Sequence, residues 1–179
     1  MVLVSAIMPT RGRPIWAAEA VECFRRETFE HKELIVLDVA NDPSFDAAMF
    51  GDDLNIHYYR HPQPWNIAKK RNIAAGLAEG SWIVHFDSDD WSAPYRIANQ
   101  IDRLEQAHKA VTGYSSMLFY DETSGRTYKY IGASNYVLGT SLCYLKPFCN
   151  LHPFNESRDT EENNEFVFAA AAAGELVAA

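Results

Sequence analysis

Residues 82–91 read Trp-Ile-Val-His-Phe-Asp-Ser-Asp-Asp-Trp, a short apolar run that stops on three carboxylates, Asp87, Asp89 and Asp90. Packing alone does not account for this. Acidic side chains are rarely buried unpaired, and like charges this close repel. A cation among them resolves the conflict. Asp-x-Asp at a strand end offers hard oxygen ligands, which suit Mg²⁺ or Mn²⁺ carrying a substrate phosphate better than zinc. The competing explanation is an acidic turn with a helix cap.

Two other runs end in the same manner. Residues 2–8 (Val-Leu-Val-Ser-Ala-Ile-Met) lead into Pro9, Thr10, Arg11, Gly12 and Arg13. Residues 33–37 (Glu-Leu-Ile-Val-Leu) lead into Asp38, then Asn41 and Asp42. Consecutive apolar residues in short runs predict parallel strands covered on both faces. In open α/β sheets, ligands bind outside the carboxyl ends of the strands. Those ends would present Thr10, Arg11, Arg13, Asp38 and the acidic trio. Donors, positive charge, one acceptor for a base or ribose, and a metal cluster together compose a nucleotide-diphosphate site.

Helix signals fall between the runs. Pro14 opens a predicted helix to about residue 27, with Trp16, Ala20, Cys23 and Phe24 at helical spacing. Asn66 is placed to cap a second helix with Ile67, Ala74, Leu77 and Ala78 on its apolar side, and Gly80 to end it. Arg71 projects from that same side. It either snorkels to water on a packed stem or meets a ligand at the strand ends. Ser92 is the expected cap of a third helix, with Pro94 in its first turn. Residues 55–60 read as a further strand.

Beyond residue 110 the segments 114–120, 127–131 and 136–145 are aromatic and β-branched, the first two joined by a polar loop with Gly125. They predict antiparallel or mixed strands added to the parallel half. An acidic run, residues 159–162 (Asp-Thr-Glu-Glu), precedes an Ala-rich end expected to be helical. Such runs are commonly solvated helix starts. The functional alternative is a general base for an acceptor hydroxyl.

The 179 residues suffice for one core, and the expected organisation is a single domain, 1–110 serving the nucleotide and 111–179 the acceptor. A net charge of −8 argues against a nucleic-acid backbone as partner. Three cysteines without CxxC spacing predict reduced thiols and a cytoplasmic protein. The start lacks the basic region of a signal peptide, and no stretch is long enough to span a bilayer.

These residues together resemble the family 2 glycosyltransferases of the GT-A fold, over roughly residues 2–110. Residues 4–10 with Arg13 and Pro14 are similar to the family's first strand and Pro-Thr turn. Residues 33–38 resemble its second strand, whose terminal Asp contacts uracil. Residues 70–74 (Lys-Arg-Asn-Ile-Ala) resemble its Ala-Arg-Asn-x-Gly stretch, and residues 86–91 its Asp-x-Asp motif. The resemblance implies a Rossmann-like, mostly parallel sheet with helices on both faces. It implies a metal-dependent, inverting transfer from a nucleotide-diphospho-sugar, a UDP-sugar, to a saccharide or other hydroxyl acceptor. On it, Pro9, Thr10, Arg13, Asp38, Arg71, Asp87 and Ser88 would hold the nucleotide. Asp89, with Asp87, would hold Mn²⁺ or Mg²⁺. The family's C-terminal Glu-Asp pair, whose Asp is the usual base, aligns with Glu162 and Asn163. Asn is no base, so Glu162, Glu161 or Asp159 would take the role, or catalysis would be impaired. Two other classes stay open: a nucleotidyltransferase, which usually shows a Gly-rich loop with Lys after the first strand, and a non-catalytic nucleotide-sugar-binding protein.

Overall fold

The computed structural model describes residues 2–39, 45–133, 135–158 and 160–179. Four parallel strands, β1 (Val4–Thr10), β2 (Lys32–Asp38), β3 (Ile56–Arg60) and β4 (Trp82–His85), form one side of a seven-stranded sheet in the order β3-β2-β1-β4-β8-β5-β9. Strand β8 (Cys143–Leu145) runs antiparallel to β4 and to β5 (Val111–Gly113), and β9 (Leu176–Ala178) pairs parallel with β5. The architecture is α/β and mostly parallel, as the apolar runs predict.

Strand β1 shows why those runs lack alternation. Ala6 and Met8 pack with Ala17, Ala20, Val21 and Phe24 of α1 (Pro14–Arg26). Ile7, facing the other way, packs with Ala68, Ala74 and Ala75 of α2 (Ile67–Leu77). Successive side chains leave a strand on opposite faces, so a sheet with helices on both sides needs apolar residues at every position. Helix α3 (Arg96–Ala107) covers the α1 face through Ile97, Ile101 and Leu104 against Trp82 and Val84. Helices α4 (Lys146–Leu151) and α5 (Glu162–Ala172) supply Phe148, Phe166 and Val167 to the α2 face. The three cysteines are buried and free. Among the described residues no helix is long and apolar enough to cross a membrane.

Several local expectations give way to tertiary contacts. The helix after Ser92 starts at Arg96, with Tyr95 as its N-cap residue. Ser92 instead donates to Glu27 Oε1 (3.3 Å), while Glu27 Oε2 accepts from the Ile97 N–H (3.2 Å). A carboxylate from the end of α1 thus caps α3, and the local serine is spent on holding it. Burial pushes the Glu27 carboxyl up, and the bonds from Ile97 and Ser92 and the charge of Arg96 oppose that. Segment 136–145 is not one strand: a 3-10 turn, Gly139–Ser141, precedes the three residues of β8. Strands β6 (Ser116–Asp121) and β7 (Arg126–Ile131) form their own two-stranded sheet and do not extend the main one. Gly174, at φ +69°, stops the Ala-rich helix, and the chain returns as β9.

Gly80 does not cap α2, which closes at Ala78. It is glycine because a Cβ there would stand 2.5 Å from Ser5 Oγ and 2.7 Å from the Leu3 carbonyl. Its N–H donates to Ser5 Oγ at 2.8 Å, and Ser5 donates to the buried Glu33 at 2.5 Å. Gly80→Ala is expected to lower stability by about 1–3 kcal/mol, the range for forced overpacking, because backbone flanks the site and cannot yield. Chemical denaturation checks this, and an unchanged midpoint would show that the strand ends shift freely.

Candidate functional site at the strand carboxyl ends

The sheet register sets Thr10, Asp38 and Arg60 side by side at the ends of β1, β2 and β3. Asp38 is fully buried. Its Oδ1 accepts from the Gly12 N–H (3.3 Å), and its Oδ2 meets Tyr58 Oη (3.4 Å) and Arg60 Nε (3.8 Å). Gly12 lies at φ +58°, where glycine turns the chain back over Asp38 without strain. Burial first, then the Asp38 charge, push the Tyr58 phenol up to about 12. Tyr58 therefore acts as a neutral donor, given to the Phe45 carbonyl at 2.9 Å. Pro9 and Thr10 are buried at the end of β1. The segment with Asn41 and Asp42 lies outside the described residues.

Arg71 is 3% exposed, which excludes a snorkelling head. Its Nη1 donates to Glu162 Oε1 and to Asn163 Oδ1, and its Nη2 lies 3.3 Å from Asp87 Oδ2. The guanidinium also sits 5.9 Å from the centre of the Phe154 ring. It joins the loop after β4 to the start of α5. Neighbouring Asn72 fixes the same junction by reciprocal bonds with the Phe154 backbone, both 2.9 Å. These two residues tie the nucleotide half to the C-terminal segment. In the sequence Asn72 stands out only as the Asn of the 70–74 stretch, with no role assigned to it.

The acidic trio is divided. Asp87 is partly buried and turned toward Arg71. Asp89 is half exposed and ion-paired with Arg13. Asp90 is mostly buried, and its carboxyl is pushed up to about 6 by burial and by the charges of Asp87 and Asp89. Ser88 is buried between them. Buried Arg96 anchors this loop by donating to the His85 carbonyl (2.7 Å) and across to the Thr140 carbonyl (3.0 Å).

Among the described residues, the buried side-chain polar atoms without a hydrogen-bond partner are Thr10 Oγ1, Arg71 Nε and Asp90 Oδ2. All three belong to this site. Buried polar groups are normally satisfied, so the collection of three unpartnered ones at one set of strand ends marks these ends as the candidate site. Among the described residues no three His, Cys, Asp or Glu side chains stand together as a preformed metal cage. An oxygen-only set of one or two carboxylates, completed by substrate phosphates, is how Mg²⁺ is commonly held. Asp87, Asp89 and the unpartnered Asp90 oxygen fit that chemistry.

Of the carboxylates proposed as a base, Glu162 is 4% exposed in the first turn of α5, on the same guanidinium as Asp87. Glu161 is exposed, at φ +59° just before the helix. Asp159 lies outside the described residues. Asn163 packs so close to the 3-10 turn that a Cβ at Gly139 would stand 2.0 Å from its Nδ2. A cleft of about 840 Å³ opens beside Asp89 and Asp90, lined across from them by Leu118, Phe119 and Tyr120 of β6 and flanked by Arg13 and Trp91. Lys70, Tyr58 and Arg60 join the site without having been singled out from the sequence. Arg60 was legible in principle as the last residue of a strand in register with Asp38.

The description Glycosyl transferase family 2 matches residues 5–168, and the chain belongs to that family. Its nucleotidyltransferase alternative thereby loses its support. Glycosyltransferase GlyG of Streptococcus pneumoniae is 22% identical over 137 residues, 75% of this chain and 45% of GlyG. The Escherichia coli protein WfaP, named a UDP-Glc:alpha-D-GlcNAc-diphosphoundecaprenol beta-1,3-glucosyltransferase, is 29% identical over 117 residues, 65% of this chain and 46% of WfaP. The match therefore takes in less than half the length of either relative. The fold is that of S. aureus TarS in complex with UDP-GlcNAc, with a TM-score of 0.82 and 18% identity over 99% of this chain and 56% of that one. It is also that of the mannosyltransferase PcManGT from Pyrobaculum calidifontis in complex with GDP-Man and Mn²⁺, with a TM-score of 0.76 and 17% identity over 99% of this chain and 54% of that one.

Proposed function

We propose that this protein transfers a sugar, with inversion, from a UDP-sugar to a hydroxyl acceptor, assisted by Mn²⁺ or Mg²⁺. The observation that carries the reading is the collection of unsatisfied buried groups at the strand ends, in a chain of this family. Solved relatives of the same fold bind UDP-GlcNAc, or GDP-Man with Mn²⁺, and supply the analogy for donor and ion.

Asp38, held by Gly12, Tyr58 and Arg60, is the acceptor for the base, with Thr10 and Pro9 forming the adjoining floor. Asp89 and Asp87 would hold the divalent ion once Arg13 releases Asp89 to turn toward the diphosphate. When bound, the ion neutralises charge that gathers on the departing diphosphate. Arg71 adds fixed positive charge and orients Glu162 through Oε1. Among the described residues nothing engages Oε2, which is left to take the proton of an acceptor hydroxyl. Residues 1–110 thus serve the donor and 111–179 the acceptor.

The burial of Glu162 on Arg71 favours a second reading, a protein that binds its donor without transferring the sugar. Donor turnover separates the two. The metal is tested by calorimetry with UDP in Mn²⁺ and in EDTA. Stripping the ion is expected to weaken UDP at least about 10-fold, since three carboxylates then face a diphosphate with one fewer cation. Asp89→Ala should reproduce that loss with Mn²⁺ present and leave the melting temperature unchanged. Equal affinity in both buffers would remove the ion from the mechanism.

A further inference from the structure

Residues 69–71 place three cations in succession on α2, and the fold gives each a different environment. Lys69 lies 5.2 Å from the centre of the Trp65 ring. Arg71 is fully engaged at its Nη atoms by Asp87, Glu162 and Asn163. Lys70 is 8% exposed; its backbone N–H donates to the Asn66 carbonyl (3.1 Å), but its ammonium has no hydrogen-bond or ion-pair partner among the described residues. It stands where the related stretch has Ala, so no inherited packing role explains it.

An ammonium held in this way is costly without a counter-charge. Its charged surroundings are Asp87, Arg71, Arg13 and Arg11. Asp87 is already shared with Arg71, and Arg13 is paired with Asp89, so no carboxylate is left to serve Lys70 alone. Helix α2 packs across β1, and Arg11 and Arg13 follow β1 directly, so the Lys70 head lies at the carboxyl end of the sheet. Thr10 Oγ1 and Arg71 Nε–H, both at this end, lack an acceptor as well. A hydroxyl, a guanidinium N–H and an ammonium call for an anion with several acceptor oxygens.

We infer that Lys70 contacts the donor's diphosphate directly, as a cation supplied by the protein beside the divalent ion, so that part of the affinity for the diphosphate survives removal of the metal. The assignment rests on the proposed nucleotide-diphospho-sugar reading and adds a residue to it. Whatever the ion contributes, Lys70 contributes independently of it, and its effect is largest when the ion is absent.

The test is calorimetry of uridine, UMP and UDP with the parent, Lys70→Met and Lys70→Arg, each in Mn²⁺ and in EDTA. If GDP binds and UDP does not, the guanosine series is used in the same way. In EDTA the parent should hold UDP more tightly than uridine. Lys70→Met should weaken UDP by about 10–100-fold in EDTA, the range for a charge-assisted hydrogen bond, and by less in Mn²⁺. Uridine should be unaffected, and Lys70→Arg should stay close to the parent. Methionine keeps the stem and removes the charge, so the fold should hold; Lys70→Gln provides the same comparison if it does not. Parent-like UDP affinity of Lys70→Met in EDTA overturns the assignment. So does an equal loss for uridine, which would mark a distorted pocket. A parent that binds nucleosides but gains nothing from the diphosphate in EDTA overturns it while sparing the nucleotide site. A parent that binds no nucleoside diphosphate in either buffer removes the underlying reading and Lys70 with it.

Discussion

Arg71→Ala is expected to lower the free energy of unfolding by about 3–5 kcal/mol, the cost of breaking a buried ion pair from one side. The size follows from what the guanidinium holds together. Glu162 and Asp87 both lie on it, one at the start of α5 and the other in the loop after β4, and neither is freely solvated. Removing the cation leaves two carboxylates facing one another across a cavity the size of its side chain. Arg71→Met restores most of the volume and should recover little of the loss, because the missing quantity is charge. Urea denaturation of the three proteins checks this. A loss below about 1 kcal/mol for Arg71→Ala, the range of an exposed pair, would mean that water reaches the triad and relieves it. The same variant should bind UDP poorly, but its affinity must be read at a temperature where it is folded.

How much of this was legible in the sequence depends on which contacts were local. Three parallel strands with polar ends, the helix opened by Pro14 and the Asn66 cap all follow from short-range chemistry, and the fold contains them. Asn66 Oδ1 accepts from the Lys69 N–H at 2.9 Å, as a capping residue should. Failures arise where a distant group outbids a near one. Glu27, 65 residues from Ser92 in sequence, takes over the capping of α3. Segment 136–145 has the composition of a strand, yet buried His85 holds the Gly139 carbonyl at 2.7 Å and bends it into a turn. At three residues each, β5, β8 and β9 are too short to carry a period, and only their neighbours define them.

The site divides in the same way. Asp38 was visible because it ends a strand, and Asp87 because it follows the end of one by two residues. Arg71 was visible as a cation on an apolar stripe, but its partners Glu162 and Asn163 lie 91 and 92 residues further on. No spacing rule reaches across that distance. The separation explains why Glu162 was selected as a base from its alignment with an acidic pair, and why its engagement by a buried arginine emerged only from the fold. It also makes Glu162 the residue on which two explanations of this protein diverge.

Glu162→Gln is expected to lower kcat for sugar transfer by about 10²–10⁴-fold, the usual contribution of a general base, with UDP affinity unchanged. Glutamine keeps the length of the side chain, and its carbonyl oxygen can still accept from Arg71 Nη1, so the junction between α2 and α5 is retained. Only basicity and one charge are lost. If Glu162 serves only as the buried partner of Arg71, UDP affinity should fall while kcat at saturating donor stays near the parent value; some loss of stability is expected in either case, since a charge leaves the pair. Asn163→Asp refines the comparison, because it puts a carboxylate at the second position of the acidic pair that the family resemblance implies. Placed on the Glu162→Gln background, it should leave kcat low if the proton goes to position 162. Recovery of kcat in that double variant would move the base one residue along α5 and make Glu162 the group that orients it. Full activity of Glu162→Gln alone, together with full activity of Glu161→Gln and Asp159→Asn, would leave this acidic run without a part in the chemistry.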